Sequence, residues 1–408
     1  MKILFVSYYP LPYPGGIWTF VSHLKEQLEQ QGHTVDVLSH NSEATKYRLI
    51  NQKPELLISE LSPFISEKLN EGFPKLNSNP WIFQSEINRY SLELSSLYYG
   101  LEKYDIIYAQ DTLAACAIKR VKPPKTPLVT SVHGHLSGEI LHYLKSLNDQ
   151  KTDSEIKDSF EYHYHKTLEN AGYHSSDLIH VPSKWLQNII VNEFSISPTK
   201  VITFPYGLNL NKFFRFIEEE ASIPRPNNKK VILYTGRIVH LKGMSYLIEA
   251  LGLLKHIRND WECWILGEGD MEIPLQQKCK DFGIENDVKF LGVSNSVSHF
   301  LEKVDIFVLP SLQDNQPYSV MEAQLMGVPV IVSDAGGLPE MVINGEDGLV
   351  VAAGNSQQLY ERFKYLLEND LIRKQLGSCA KEKAQNYWSM NKMVNNVLAM
   401  YTQALENN

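Results

Sequence analysis

Short apolar runs alternate with longer stretches of helical periodicity along most of the chain. The first run, at 2–7, is followed by Pro14-Gly15-Gly16 and by apolar residues at 20, 21, 24 and 28, and the next run lies at 34–38. A continuous apolar run is typical of a strand buried in a parallel sheet, and spacings of three and four residues indicate an amphipathic helix. The pattern therefore predicts a βαβ unit at the start of the chain.

The same alternation continues in two series. The first series has predicted strands at 105–108, 127–132, 177–181 and 201–204. The second has predicted strands at 231–235, 264–266, 288–290, 305–309 and 330–332, with helical patterns at 244–257, 271–282, 294–303 and 320–326. Because strands that alternate with helices favour a parallel sheet covered on both faces, we expect two Rossmann-like α/β domains.

The predicted boundary between the two series follows the segment YGLN at 206–209, where the polar stretch 218–230 separates them. The tail from Asn355 is helical throughout, with a break near Tyr387-Trp388. We therefore expect an N-terminal domain at 1–206, a C-terminal domain at 207–386 and a final helix at 387–408.

Composition narrows the class of protein. A chain of 408 residues with 43% hydrophobic and 21% charged residues is typical of a soluble globular protein of two or more domains. The net charge of -8 gives no electrostatic case for nucleic acid. No run approaches the roughly 20 apolar residues of a membrane span, and prolines follow the first strand where a signal peptide needs its cleavage site. The four cysteines have no paired spacing and fit a reducing cytoplasm, while peripheral membrane contact stays open.

Two acidic residues, Asp314 and Glu322, mark the strongest candidate for a ligand site. Pro317 delays the next helix and Ser319 is a good N-cap, so the helix is predicted to begin at Val320 with Glu322 in its first turn. Carboxylates only accept hydrogen bonds, which suits a ligand rich in hydroxyls. Ser319 and Glu322 also have the spacing of a capping box, in which Glu322 bonds to the Ser319 amide. These residues alone leave both interpretations open.

Two basic residues, Arg237 and Lys242, follow the strand at 231–235 and precede a helix that Gly243 opens. A helix N-terminus beside a guanidinium and an ammonium group suits a diphosphate, and a solvated basic pair is the alternative. His133, at the end of the strand 127–132, lies where doubly wound sheets bind ligands, although it also fits a histidine bonded within its loop.

The remaining candidate ligand-binding residues are two glycine-containing segments and a pair of histidines. Gly15-Gly16 allows a ligand to approach the backbone before the first helix, and Gly267-Glu268 with Leu291 could hold a nucleobase; plain turns explain these glycines equally well. His163 and His165 lie two apart in a helical pattern, so they point to different sides and make a poor metal site.

The stretch 311–340 resembles the donor site of the family 4 retaining glycosyltransferases, which have the GT-B fold. The resemblance rests on Ser311, Asp314, Pro317, Glu322-Ala323, Gly327-Val328-Pro329-Val330 and Gly336-Gly337-Leu338-Pro339-Glu340, and on Gly236-Arg237-x4-Lys242-Gly243, which is similar to the family's pyrophosphate motif. The family usually has glutamate where this chain has Asp314. The resemblance covers nearly the whole chain and is weakest at 41–101 and 136–173.

The resemblance implies a GT-B architecture of two Rossmann-like doubly wound domains that face a cleft, with the last helix crossing back onto the N-terminal domain. It implies that Glu322 holds the ribose hydroxyls, that Arg237 and Lys242 hold the diphosphate, and that Asp314 contacts the donor sugar. His133 becomes a donor-sugar contact near the reacting carbon. The remaining donor-binding residues that it implies are Gly15, Gly16, Gly267, Glu268, Leu291, Gln316, Pro317, Tyr318 and Ser319.

The resemblance further implies retaining transfer of a sugar from a nucleoside diphosphate sugar, as co-substrate, to a glycan, lipid or small-molecule acceptor. The chain has no Asp-x-Asp, the metal-ligand signature of the other major glycosyltransferase fold, so neither a metal nor a cofactor is expected. No side chain is assigned as a nucleophile. An epimerase acting on a nucleotide sugar and a non-catalytic nucleotide-sugar-binding protein are the alternatives.

Overall fold

The computed structural model describes residues 1–215, 223–294 and 296–407. The chain divides into two compact units. Unit 1 contains Met1–Leu141, Gln150–Pro205 and Asn391–Asn408, and unit 2 contains His142–Asp149 and Tyr206–Met390. The units divide after Pro205 and after Met390, whereas the sequence predicts boundaries after Tyr206 and after Asn386. Part of the predicted linker, at 218–222, lies outside the described residues.

The sheet of unit 1 has the strand order β4-β3-β2-β1-β5-β6-β7-β8. Its strands are β1 (Lys2–Val6), β2 (Thr34–His40), β3 (Lys46–Leu49), β4 (Leu56–Leu57), β5 (Ile106–Ala109), β6 (Leu128–Ser131), β7 (Leu178–Val181) and β8 (Val201–Thr203). Pairing is parallel except at the edge, where β3 runs antiparallel to both β2 and β4. The core of the sheet is thus the parallel sheet that the apolar runs predict.

The sheet of unit 2 is parallel throughout, with the order β11-β10-β9-β12-β13-β14. Its strands are β9 (Lys230–Thr235), β10 (Trp261–Leu266), β11 (Val288–Phe290), β12 (Ile306–Leu309), β13 (Val330–Ser333) and β14 (Gly348–Val351). Counted from β9, the order is 3-2-1-4-5-6, the doubly wound Rossmann order. The direction of winding reverses between β9 and β12, so a ligand site is expected at the carboxyl ends of these two strands.

Helices connect the strands in both units. In chain order they are α1 (Gly16–Gln30), α2 (Ile58–Gly72), α3 (Pro80–Tyr99), α4 (Thr112–Lys119), α5 (Leu136–Leu147), α6 (Asp153–Lys157), α7 (Phe160–Ser175), α8 (Lys184–Glu193), α9 (Leu210–Arg215), α10 (Met244–Lys255), α11 (Glu272–Asp281), α12 (Val297–Leu301), α13 (Tyr318–Met326), α14 (Leu338–Met341), α15 (Ser356–Glu368), α16 (Asp370–Tyr387) and α17 (Met390–Glu406). Short 3-10 turns lie at Pro74–Ser78, Pro198–Lys200 and His240–Lys242.

The last helix, α17, belongs almost entirely to unit 1. Its Tyr401 is fully buried, with its ring 5.4 Å from the ring of Tyr108 on β5. The break before α17 falls at residues 388–389, next to the predicted break at Tyr387-Trp388. The expectation that the C-terminal helix returns to the N-terminal domain is confirmed.

Three strands were not predicted, and one starts earlier than predicted. The unpredicted strands are β3, β4 and β14, each of two to four residues. Strand β10 begins at Trp261, three residues before the predicted start, and it includes the buried residue Glu262. Glu262 can be buried because Lys289 Nζ and Trp264 Nε1 lie 2.7 and 2.5 Å from its Oε1. A charged residue inside an apolar run hides a strand from pattern analysis.

Candidate active site

The loops after β9 and β12 are joined at the point where the winding of unit 2 reverses. Leu312 N donates to Leu241 O at 2.7 Å. Gly243 has φ +68°, and a Cβ placed on it would lie 1.9 Å from Pro310 O. Only glycine combines that backbone angle with so close an approach. The two loops are therefore fixed to each other by backbone contacts.

Lys242 and Asp314 meet across these joined loops. Lys242 Nζ lies 2.5 Å from Asp314 Oδ2, and both side chains are largely buried, with exposed fractions of 14% and 13%. Ser311 Oγ also donates to Asp314 Oδ2, at 3.1 Å, and the backbone N–H of Asn315 donates to Asp314 Oδ1, at 3.0 Å. The residues that the resemblance assigns to the diphosphate and to the donor sugar are thus direct neighbours.

The loop after β13 fixes the backbone of Asp314. Gly337 N donates to Asp314 O at 2.9 Å. Gly336 has φ +65°, and a Cβ on it would lie 1.8 Å from Asp314 O. In the sequence, Gly336 and Gly337 are visible only as part of a motif, with no individual role. Two adjacent glycines at the end of an apolar strand are the signal that points to such a close approach.

Arg237 follows β9 and is exposed. Its carbonyl oxygen accepts from Tyr234 Oη at 2.6 Å, which fixes the backbone. Its guanidinium has no hydrogen-bond or ion-pair partner among the described residues. Lys242 ends the 3-10 turn His240–Lys242, and Gly243 is the N-cap of α10. The free guanidinium and the positive end of α10 together favour an anionic group at this edge of unit 2.

Helix α13 begins at Tyr318, so the prediction of a start at Val320 is wrong. Pro317 is the N-cap, in an extended conformation with φ -68° and ψ 131°, and Val320 N already bonds to Pro317 O at 3.3 Å. The N-cap role predicted for Ser319 and the capping-box alternative are also wrong, since no side chain caps this helix. Stacking of Tyr318 on Tyr206, with ring centroids 5.6 Å apart, holds the first turn in place.

Glu322 consequently lies in the second turn of α13 rather than the first. It is half-buried, and its carboxylate has no hydrogen-bond or ion-pair partner among the residues that the structure describes. Burial raises its pKa to about 7. Its two oxygens are therefore available as acceptors for the hydroxyls of a ligand.

Gln324, two positions further along α13, anchors this helix. Its Oε1 accepts from Trp388 Nε1 at 2.9 Å, and its Nε2 donates to Met341 O at 2.8 Å. Both bonds are buried. The helix that carries Glu322 is therefore held by the break that precedes α17 and by the end of α14.

The predicted donor residues around the start of α13 have structural contacts of their own. Gln316 is buried, and its Oε1 accepts from Tyr206 N at 2.6 Å. Pro317 and Ser319 are half-buried, and Tyr318 is buried. Because Gln316 Oε1 already accepts the bond from Tyr206 N, Gln316 can offer a ligand its side-chain Nε2 and its backbone groups. The proposed contacts of 316–318 to a sugar stay predictions.

The candidate nucleobase residues lie at the ends of β10 and β11. Gly267 has φ +139°, and a Cβ on it would lie 1.9 Å from Gly236 O. Its amide donates to Gly292 O, and Glu268 O accepts from Ile238 N, both at 2.8 Å. The glycine is therefore required by the close packing of these loops. Glu268 is exposed and Leu291 half-buried, and their contact with a base stays a prediction.

In unit 1, Gly16 is the first residue of α1 and Gly15 is its N-cap, with φ +152°. Phe20, one turn later, packs edge-on against His133 with ring centroids 5.1 Å apart. His133 Nε2 lies 3.4 Å from Gln110 Oε1. Burial lowers the pKa of His133 to about 3, so the imidazole is neutral at neutral pH. Any role of His133 is thus that of a neutral hydrogen-bonding group.

A second histidine, His180, supports this region and was not anticipated from the sequence. It is fully buried on β7, stacked on Phe204 with centroids 3.8 Å apart, and its Nδ1 lies 3.0 Å from Ser131 Oγ. Burial lowers its pKa to about 4. A lone histidine in an apolar strand gives no signal that separates such a core position from a ligand contact.

The described ranges, 1–215, 223–294 and 296–407, contain no group of three or more histidine, cysteine or acidic residues arranged to hold a metal ion. His163 is exposed whereas His165 is buried, so the two histidines do lie on different sides of α7. Within the same ranges, no helix has the length and apolar character needed to cross a bilayer.

Two family models match successive parts of the chain. The model described as Glycosyltransferase Family 4 matches residues 14–212, and the model described as Glycosyl transferases group 1 matches residues 216–383. The first match lies mainly in unit 1 and the second in unit 2.

Similar proteins match either nearly the whole chain or part of it. An uncharacterized glycosyltransferase of Methanocaldococcus jannaschii is 26% identical over 100% of this chain and 99% of its own length. The N,N'-diacetylbacillosaminyl-diphospho-undecaprenol alpha-1,3-N-acetylgalactosaminyltransferase of Campylobacter jejuni is 30% identical over 55% of this chain and 59% of its own. Anabaena HepE, solved in complex with UDP-glucose, has 18% identity and a TM-score of 0.67, covering 98% of this chain and 100% of HepE.

Proposed function

The chain belongs to the family 4, or group 1, glycosyltransferases with the GT-B fold, and from this premise we propose that it transfers a sugar from a nucleoside diphosphate donor with retention of anomeric configuration. The observation that carries the proposal is the constellation at the winding reversal of unit 2. There Lys242 pairs with Asp314, and Glu322 holds a half-buried carboxylate with no partner among the described residues. These groups match the phosphates, the sugar and the ribose of such a donor.

Recognition of the nucleotide begins with Glu322. Its partnerless oxygens accept hydrogen bonds from the paired ribose hydroxyls, which repays part of the cost of its burial. Arg237 and Lys242 hold the diphosphate beside the N-terminus of α10, where the helix dipole adds to their two charges. The complex of HepE with UDP-glucose, on the same fold, supports a nucleotide sugar as donor.

The reaction breaks the bond between the anomeric carbon and the diphosphate oxygen and forms a bond from that carbon to an acceptor hydroxyl oxygen. The acceptor attacks on the face that the phosphate leaves, so the configuration is retained. The departing phosphate oxygen takes the hydroxyl proton. Arg237 and Lys242 stabilise the negative charge that grows on the leaving diphosphate, which is the role a metal ion plays elsewhere.

The other predicted residues complete the donor contacts. Asp314 accepts hydrogen bonds from hydroxyls of the transferred sugar while Lys242 and Ser311 hold its carboxylate. In unit 1, His133 is a neutral hydrogen-bonding group, and Gly15 and Gly16 are exposed at the start of α1; their contact with a donor stays a prediction.

The test is a thermal-shift panel of nucleotide sugars with different bases, followed by NMR of the product. A true donor at 100 times its Kd stabilises the protein by about 2.7 kcal/mol. The product should carry the anomeric configuration of the donor. The proposal fails if no nucleotide sugar stabilises the protein, if the product is inverted, or if the donor is altered without any dependence on an acceptor.

A further inference from the structure

Unit 1 contains a cavity of about 280 Å³ at the carboxyl edge of its sheet. Its wall includes Tyr8, which follows β1, Leu113 on α4, and Leu136, the first residue of α5. Leu136 is three residues after His133. Small-molecule sites usually have volumes of about 300–1,000 Å³, so this cavity has room for a small ligand rather than a long chain.

Two aromatic rings from different helices form one side of this cavity. Trp81 on α3 and His165 on α7 lie with ring centroids 4.6 Å apart and planes at 33°. The starts of the two helices are tied together, since Asn79 caps α3 by accepting from Ile82 N and donates through Nδ2 to Glu161 Oε1 at 2.6 Å. The rings are therefore held in place before any ligand arrives.

His165 presents an acceptor to the cavity. Its Nδ1 lies 2.7 Å from the carbonyl oxygen of Glu161, and because a carbonyl only accepts, Nδ1 carries the proton. Burial lowers the pKa of His165, so the ring is neutral and Nε2 has a lone pair. His165 is only 5% exposed, and Nε2 has no hydrogen-bond partner among the described residues. An acceptor on a residue that lines a cavity is available to a hydrogen-bond donor of a ligand.

The charge of the cavity wall is already compensated. Arg89 is the one cation among the lining residues, and its Nη2 and Nε lie 2.6 and 3.1 Å from the two oxygens of Glu86. Tyr164 Oη donates to the same carboxylate at 2.5 Å, and Glu93 lies 3.8 Å from the guanidinium. Glu93 lies closer to Arg120, 3.3 Å from its Nε, so Glu86 is the carboxylate that pairs with Arg89. A phosphate or diphosphate ligand would thus meet a cation that is already paired.

The cavity wall combines polar and aromatic groups with the aliphatic side chains of Leu113, Leu136, Ile140 and Leu168. The aromatic rings of Tyr8, Trp81 and Tyr164 and the amides of Gln84 and Asn88 line the cavity together with His165. A pyranose ring has apolar C–H faces that pack on aromatic rings and a rim of hydroxyls that bond to amides and imidazoles. A hydrocarbon chain would leave those polar groups without partners.

We propose that this cavity binds a neutral sugar ring of the acceptor, with Trp81 packing on its C–H face and His165 Nε2 accepting a hydroxyl hydrogen bond. The assignment rests on the proposed function, which requires a hydroxyl-bearing acceptor. It adds a substrate class, a terminal sugar residue, and two binding residues that lie outside the donor-binding set.

Binding is measured on the full chain without donor. The probes are methyl glycosides of glucose, galactose, mannose and N-acetylglucosamine, compared with glucose 6-phosphate and with octanol, and saturation-transfer NMR reads the contact and the Kd. We expect a neutral glycoside to bind best, and Trp81→Leu and His165→Leu to raise its Kd on the order of tenfold. Trp81→Phe and His165→Gln, which keep a ring and an acceptor, should retain more affinity.

Two controls separate binding from folding and from donor recognition. Trp185→Leu removes a half-buried tryptophan on α8 that does not line the cavity, and it should leave the Kd unchanged. The thermal shift produced by a nucleotide sugar should persist in Trp81→Leu and His165→Leu, which also shows that these variants fold.

The two proposals fail in different ways. One outcome is that nucleotide sugars are turned over, but neither the Kd of the glycoside nor the KM of the acceptor changes in Trp81→Leu and His165→Leu. The cavity assignment is then overturned and the proposed function stands. Preference for the phosphorylated sugar or for octanol, or no binding of any neutral glycoside, also overturns it. If glycosides bind through Trp81 and His165 but no nucleotide sugar binds, the sugar site stands and the proposed function fails.

Discussion

Lys242 Nζ lies 2.5 Å from Asp314 Oδ2, although the two residues are 72 positions apart in the chain. Each charge is compensated before a donor is present, and both side chains are largely buried. Removing one member of such a pair leaves the other buried and unpaired, which costs more than the pair itself is worth. In the proposed function, a donor diphosphate would share Lys242 with Asp314, so we expect the two side chains to act together.

Loss of the ammonium group should affect the chemical step most. We expect Lys242→Ala to reduce kcat by on the order of 100-fold, beyond any change in KM, because the charge on the leaving diphosphate grows in the transition state. Steady-state kinetics with saturating donor measure both constants. Lys255→Ala is the matched control, since Lys255 pairs with Asp287 at 2.6 Å, away from the loops after β9 and β12, and should keep normal turnover. Near-normal turnover of Lys242→Ala would remove the ion pair from the mechanism.

Substitutions at Asp314 test whether the charge and the length of this acidic side chain matter for transfer. Misplacement by about 1 Å can cost roughly 100-fold in rate, so both a changed charge and a longer side chain should matter. Asp314→Asn removes the partner of Lys242 and should nearly abolish transfer. Asp314→Glu adds a methylene where Ser311 and Lys242 already hold the carboxylate, and should impair transfer by crowding. Donor turnover is measured for both, and a gain from glutamate would show that this site has decayed from the family pattern.

Donor affinity should depend on pH through Glu322, whose pKa is about 7 in the free protein. Ribose hydroxyls bond to the carboxylate and lower this pKa on binding, so donor affinity is complete above about pH 7 and falls as the pH drops through that value. The limiting slope is about tenfold in Kd per pH unit. Calorimetry across this range measures the profile.

Glu322→Gln is the control for that profile, because it keeps the size of the side chain and removes its titration. The variant should bind the donor more weakly with a flatter dependence on pH. A wild-type profile without any change between mildly acidic and mildly alkaline pH would mean that Glu322 does not hold the ribose.

Glycine contacts behind Asp314 predict a difference between two similar substitutions. Gly336→Ala places a methyl group 1.8 Å from Asp314 O, at φ +65°. Gly345→Ala meets a comparable positive φ of +85°, with no atom within 4 Å of the new Cβ. The second variant should lose only about 1–2 kcal/mol of stability from the backbone angle. Gly336→Ala should lose more and also reduce turnover, and equal melting temperatures and activities would contradict the close approach.

The parallel core of both sheets follows from the sequence because buried strands need continuous apolar runs, and these are visible at β1 and β12. The edge strands β3 and β4 escape detection because they are short and lie in a polar region, where only pairing with a neighbour makes them strands. Glu262 hides the start of β10 because its partner, Lys289, comes from a different strand.

The residue types of the candidate site are visible in the sequence, but their contacts are not. Lys242 reaches Asp314 because β9 and β12 are neighbours, which depends on strand order rather than on local pattern. The start of α13 was misplaced because a proline N-cap followed by a stacked tyrosine competes with the better local capping signal of Ser319. The missing partner of Glu322 is likewise a property of the folded chain.

The bond from Trp388 to Gln324 ties the break before α17 to the helix that carries Glu322. Trp388→Phe would remove the indole N–H while keeping a ring, and would leave Gln324 Oε1 buried without its donor, on the helix that carries Glu322. Nucleotide binding would then fade even though every residue of the recognised motif is intact. The same indole is 2% exposed, and in a variant without the other five tryptophans its emission should report whether α13 is packed against it.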